Sequence, residues 1–340
     1  MNLIHPMKLK RGDTVATISL SSGSAGDFLH RYKLGVSRLE NDFGLHVVPT
    51  PNSLKDSKWI YDNPKARADD LMWAFENKQI KGIISNIGGE ESIRILPFIN
   101  FEIIRKNPKV FMGFSDTTVT HLICLHAGLS TFYGTSVLCE FSENVSIHPY
   151  TKMTVEKTLF SDEPIGLINP SFEYASKYVT WADEELTRTQ KRIFTPTDGF
   201  ELLQGKGKAS GHLNGGCIEV LEMCKGTEIF PPLEKWDNAI LFLETSEEEP
   251  SPTYYRRWFR NYGSMGILQK LNGIIIGKPY NNTYYNEYNE ILLSVIREET
   301  GSNDIPIMCN MNFGHTSPTF IIPYGAHAEI NCDHKTFSML

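Results

Sequence analysis

At 340 residues, with 41% hydrophobic and 21% charged content, the chain is a globular protein too long for one ordinary core, which excludes a fibrous or disordered chain and predicts two domains. A net charge of −7 argues against a partner gripped through a nucleic-acid backbone, which needs a basic face. No apolar run approaches a membrane span and the first residues hold no signal-peptide core, so a cytoplasmic protein with no membrane partner is expected.

The first half alternates short apolar strands with amphipathic helices. Residues 14–19 read as a strand, followed by a Ser/Gly loop, and Phe28, Leu29, Tyr32, Val36 and Leu39 recur at helical spacing up to Gly44. Residues 46–49 form a second strand. Asn63 before Pro64 reads as a capping side chain ahead of a helix running to Phe75. Residues 82–87 and 110–114 are the third and fourth strands. This order predicts an α/β fold, a mainly parallel N-terminal sheet flanked by helices, with ligands received at the carboxyl ends of its strands.

Two of those ends carry unusual chemistry. The third strand leaves into Gly88-Gly89-Glu90-Glu91-Ser92, where paired glycines let backbone approach a ligand closely. The fourth leaves into Gly113-Phe114-Ser115-Asp116-Thr117, and Thr118, Val119, Leu122, Ile123 and Leu125 then follow a helical pattern. A serine on a tight strand-to-helix turn is a nucleophile candidate, because the turn exposes Oγ and the helix start offers free N–H groups. The Asp116 N–H with that of Gly88 or Gly89 forms a candidate oxyanion hole. Read singly, Ser115 fits a helix N-cap as well, and the glycines a plain turn.

Beyond residue 142 the pattern weakens. Residues 151–160 read as a short helix, and prolines with polar residues make 166–208 a linker and substrate loop in which Tyr178, Trp181 and Phe194 are candidate stacking partners for a ring. The N-terminal domain is accordingly expected over 1–165. A β-rich α/β domain is expected over 209–340. It opens on a loop containing His212, Asn214 and a Gly-Gly turn, continues as a helix over 217–224, and includes strands 239–243, 273–277 and 305–308 and helices 252–262 and 286–298. The 239–243 strand ends on Glu244. The acids at 247–249 read as a solvated cluster without chemistry. His315 sits in a Gly/Pro-bounded loop after the last of these strands, well placed for a base, with His212 as the alternative. The six cysteines are scattered without a C-x-x-C pair and read as reduced core thiols, and no metal-ligand spacing occurs, so neither metal nor cofactor is expected.

Taken together, residues 87–97 (IGGEESIRILP), 113–116 (GFSD), 241–247 (LFLETSE) and 313–316 (FGHT) closely resemble the LD-carboxypeptidase family of serine peptidases, and the IGG and LETSE forms resemble its microcin C self-immunity branch. Asn312 and Ser317 depart from the acids that family often carries beside its histidine. The resemblance implies a Ser-Glu-His triad split between two domains: Ser115 as nucleophile, His315 as general base, Glu244 as the acid that orients it. It also implies amide hydrolysis through an acyl-enzyme without a cofactor, and a homodimer. Trp181, Glu90 and Asn214 are the expected substrate contacts. The preferred substrate class is an aminoacyl or peptidyl nucleotide, the alternative a murein tetrapeptide, whose free carboxylate needs a cationic contact. A non-catalytic binding protein with a vestigial triad is the reading from another class.

Overall fold

The computed structural model describes residues 3–340 and arranges them as two α/β layers built on separate sheets. In the first sheet the order is Ile322–Pro323, Phe132–Tyr133, Val110–Gly113, Ile80–Ser85, Thr14–Ile18, His46–Pro49. All neighbours are parallel except the first pair, where the C-terminal segment returns to lie antiparallel against Phe132–Tyr133. Val15, Ile18, Ile83, Ile84, Val110, Phe111 and Met112 are buried. Helices on both faces demand such continuous apolar runs, and this is why the strands show no polar alternation.

The second sheet has eight strands with a parallel centre, Lys208–Cys217, Ala239–Glu244, Gly273–Gly277 and Ile307–Met311, and antiparallel strands on its flanks. One hydrophobic core runs through both sheets, joining Ile18, Ile83 and Leu122 to Leu243, Ile274 and Phe313. Residues at or just beyond strand ends of both sheets, Gly88 and Ser115 from the first and Glu244 and His315 from the second, meet at the site.

Several local expectations differ from the structure. The stretch around Gly215 and Gly216, expected as a turn, lies inside the ten-residue strand Lys208–Cys217. A Cβ on Gly215 would stand 1.7 Å from the Phe242 carbonyl oxygen, so glycine is there to let two strands approach, not to turn the chain. Within the stretch expected to be linker, Gly166–Ile168 and Glu201–Gln204 form the two edges of the second sheet. Asn63 makes no side-chain cap; its amide turns back to the Trp59 carbonyl, while Asp56 caps a short helix, Ser57–Asp62, that the sequence pattern had not marked. All six cysteines are buried and free.

Candidate active site

Ser115 follows the strand Val110–Gly113 and opens a short 3-10 turn, Ser115–Thr117, that runs into the helix Thr118–His126. Its φ of 63° is in the left-handed region, a conformation costing a side-chain-bearing residue about 1–3 kcal/mol. That strain turns Oγ out of the sheet, as a nucleophile elbow requires. The Ser115 N–H donates to the Tyr133 hydroxyl at 3.1 Å.

The Ser115 hydroxyl meets Nε2 of His315 at 2.9 Å, and Nδ1 of the same ring meets Glu244 Oε2 at 2.6 Å. Glu244, the last residue of Ala239–Glu244, is 1% exposed, and its other oxygen accepts the Tyr133 hydroxyl. Tyr133 is itself fully buried, and burial, reinforced by Glu244, pushes its phenol well above the ordinary value, so it remains a neutral donor. Phe114 packs edge-on against the imidazole, with ring centres 5.1 Å apart. A third acid enters from the loop after Glu244: Glu247 Oε2 lies 3.0 Å from Nε2, the nitrogen that also faces Ser115. Burial pulls His315 down, but Glu244 and then Glu247 outweigh it and raise its affinity for a second proton well above that of a free imidazole. Hydrogen bonding to that imidazole holds Glu247 down at about 2. The acidic cluster expected to be solvated therefore contributes a carboxylate to the site, because its loop folds back over the cleft.

Gly88 lies directly against the serine. A Cβ built there would fall 2.7 Å from Ser115 Cβ and 3.4 Å from the Asp116 nitrogen, so only glycine permits this approach. Among the described residues the N–H groups of Gly88 and Gly89 donate to no protein acceptor. The Asp116 N–H sits in the first turn of a helix, where no intrahelical carbonyl is available. The Asp116 carboxylate points away and accepts the Ser92 N–H at 3.0 Å, and burial pushes its acid up to about 6.

The serine and histidine open onto a cleft of about 300 Å³ whose lining includes Tyr178, Trp181, Glu247 and Tyr280. Trp181 meets Tyr178 edge-on at 5.4 Å, has the Arg31 guanidinium 4.5 Å from its ring centre, and leaves its indole N–H without a partner. Among the described residues no lysine or arginine lines this cleft. Two expected contacts are not in its wall. Glu90 is exposed beyond the glycine pair, and Asn214 is fully buried on Lys208–Cys217 with both amide atoms unpaired. His212, the alternative base, pairs in register with Ala239, whereas Cys217 pairs with Glu244; five residues of strand put it roughly 16 Å along the sheet from the acid. Its Nε2 is spent on the Lys235 carbonyl. Tyr133 had no sequence signal of its own; Glu247 closes the LFLETSE stretch at 241–247, but its place at the head of a run of acids read as solvated. Among the described residues no group of three or more His, Cys, Asp or Glu is arranged to hold a metal ion, and no helix is long and apolar enough to cross a membrane.

Residues 15–134 match the LD-carboxypeptidase N-terminal domain and residues 210–330 the LD-carboxypeptidase C-terminal domain, together more than half of the chain. The microcin C7 self-immunity protein MccF of Escherichia coli is 28% identical over 98% of this chain and 96% of its own, and a structure of MccF in complex with aspartyl sulfamoyl adenosine superposes with a TM-score of 0.85 at 26% identity, covering 99% and 98% of the two chains. A MccF-like protein from Streptococcus pneumoniae, solved in complex with AMP, is 34% identical, with 97% and 99% coverage and a TM-score of 0.88. A probable murein peptide carboxypeptidase from Bacillus subtilis is 28% identical over 97% of this chain and 92% of its own. The two-domain matches, the 34% identity across nearly the whole chain and the shared fold place this chain in the LD-carboxypeptidase family of serine peptidases, within its MccF-like branch.

Proposed function

We propose that the protein hydrolyses the amide joining an aminoacyl or peptidyl group to a nucleotide, detoxifying compounds of the microcin C type. The observation that carries the reading is the His315 ring, hydrogen-bonded to Ser115 on one nitrogen and to Glu244 on the other. Ser115 gives its proton to Nε2 and attacks the carbonyl; the oxyanion is received by the N–H groups of Asp116 and of Gly88 or Gly89. His315 then returns the proton to the leaving nitrogen, and water repeats the sequence to release the acyl group. Glu244 orients the ring and balances its charge. Trp181 and Tyr178 offer the base a wall to stack on. Ligand-bound relatives, one holding AMP and one aspartyl sulfamoyl adenosine, support a nucleotide in this cleft.

The murein tetrapeptide reading is less well supported, although one relative is named for such a substrate. A terminal carboxylate needs a cation, and the cleft wall supplies a carboxylate instead. The same overall reading carries a cytoplasmic location and a homodimer, checked by cell fractionation and by light scattering. The main test incubates the protein and its Ser115→Ala variant separately with an aminoacyl sulfamoyl adenosine and with a murein tetrapeptide. Release of the amino acid from the first substrate, lost about 10⁴-fold in the variant with unchanged thermal stability, is expected. Release of D-alanine alone overturns the substrate, and inertness toward both favours a binding protein.

A further inference from the structure

Nε2 of His315 has two oxygens within reach, and they ask opposite things of it. Ser115 Oγ, at 2.9 Å, has to give a proton to that nitrogen. Glu247 Oε2, at 3.0 Å, is stabilised when the nitrogen carries one. With Glu244 on Nδ1, an imidazole flanked by Glu247 is held as the doubly protonated ring, which cannot act as a base. The other titratable groups around this pair are Tyr133, Glu219, Cys217 and Tyr324 behind Glu244, and Tyr280 beside Glu247; each is an acid that adds no positive charge. Glu247 nevertheless remains 62% exposed on its side chain, so it faces the cleft as well as the ring. Among the described residues it is also the only carboxylate that lines the cleft, and no lysine or arginine joins it there.

We infer that Glu247 selects an acyl group bearing an ammonium, and that this ammonium, by taking the place of the imidazole at the carboxylate, releases His315 to act as base. The inference rests on the serine-hydrolase reading above and specifies which acyl groups it accepts. The ammonium of the incoming substrate pairs with Glu247. The imidazolium, left with Glu244 alone, gives its Nε2 proton to water. Nε2 is then free to accept the Ser115 proton as Oγ bonds to the carbonyl carbon. Binding and activation are thereby one event, and an acyl group without a cation leaves the ring idle.

The ammonium can be the α-amine of the terminal residue or a lysyl side chain, and both present the same chemistry. The test uses serine-directed fluorophosphonates, which react independently of the natural substrate, one carrying an ammonium chain and one its neutral isostere, on the intact protein and on Glu247→Gln. Labelling at Ser115 is followed by mass spectrometry between pH 5 and 9. The expected result is about tenfold faster labelling by the cationic probe in the native protein and near-equal labelling in Glu247→Gln. The variant should also react faster than the native protein with the neutral probe at acidic pH, its acid limb having moved down. Protection of Ser115 by alanyl, N-acetylalanyl and N-acetyllysyl sulfamoyl adenosine then separates the two sources of the ammonium. The same cationic preference in both proteins, or no preference in either, overturns the role of Glu247 while leaving the serine chemistry standing. No labelling of Ser115 in any combination overturns the serine chemistry on which both readings rest.

Discussion

Tyr133→Phe removes one hydroxyl that serves both halves of the site. That hydroxyl accepts the Ser115 N–H at 3.1 Å and donates to Glu244 Oε1, and among the described residues Oε1 has no second donor. Glu244 is 1% exposed and Tyr133 fully buried, so water cannot readily replace the bond. Leaving a buried charged acceptor short of a donor costs about 1.5–3 kcal/mol, and the orphaned N–H about 1 kcal/mol more, for a loss of stability of about 3 kcal/mol. A melting temperature lower by several degrees is expected by differential scanning fluorimetry. Catalysis feels the same change twice, because the N–H contact helps hold the strained serine and the hydroxyl fixes the acid that orients His315. At about 1.4 kcal/mol per decade, kcat/KM on an aminoacyl sulfamoyl adenosine should fall by about 10- to 100-fold. The pH profile supplies a readout that mere loosening would not move. Tyr133 donates to the carboxylate that faces the imidazolium, so removing that donor leaves more negative charge for the ring, and the acid limb of kcat/KM should shift to higher pH. A variant with native melting temperature and native kcat/KM would refute the claim that Tyr133 joins the two halves.

Gly88→Ala sets a methyl 2.7 Å from Ser115 Cβ, so either the loop or the serine must move; with an oxyanion donor displaced, kcat should drop by about 10²- to 10³-fold, measured in steady state alongside Ser115 labelling. Trp181→Ala removes the aromatic wall and should weaken AMP binding, followed by calorimetry, by about tenfold or more, since a stacked base contributes about 1–3 kcal/mol; unchanged affinity would exclude the wall as the base site. Burial raises Asp116 from 3.8 to about 6, so the folded state holds this proton more tightly than the unfolded chain does. The stabilising effect is complete below the unfolded value and is lost as pH rises through about 6, a displacement worth about 3 kcal/mol in all. Asp116→Asn should therefore lack this decline between pH 4 and 6 in melting temperature against pH, and parallel curves for the two proteins would contradict it.

What the sequence made legible was the chemistry carried by local order. A strand, a tight turn and a helix can be read around Ser115 because apolar runs and helical spacing are short-range signals, and the ends of two other strands could be seen to carry Glu244 and a loop with His315. The fold class followed from the same alternation. What escaped was every feature decided by distant backbone. Gly215 and Gly216 look like a turn because a glycine pair has no side chain to advertise a neighbouring strand, and only the approach of Phe242 explains them. Phe132–Tyr133 is a two-residue strand with no periodicity to read, yet it aims a hydroxyl at a carboxylate 111 positions away. Asn214 is fully buried within the strand Lys208–Cys217, with both amide atoms unpaired, a placement set by the neighbouring strands. Glu247 marks the limit most clearly. In sequence it is one of three consecutive acids, and such runs usually face water; only the fold back of its loop onto the cleft sets it against His315. A hydrophobic pattern constrains where a segment packs, whereas a charged residue's partner is set by whatever the remaining chain brings to it. The proposed reacting groups could thus be read residue by residue, while the contacts that surround them could be read only from the assembled fold.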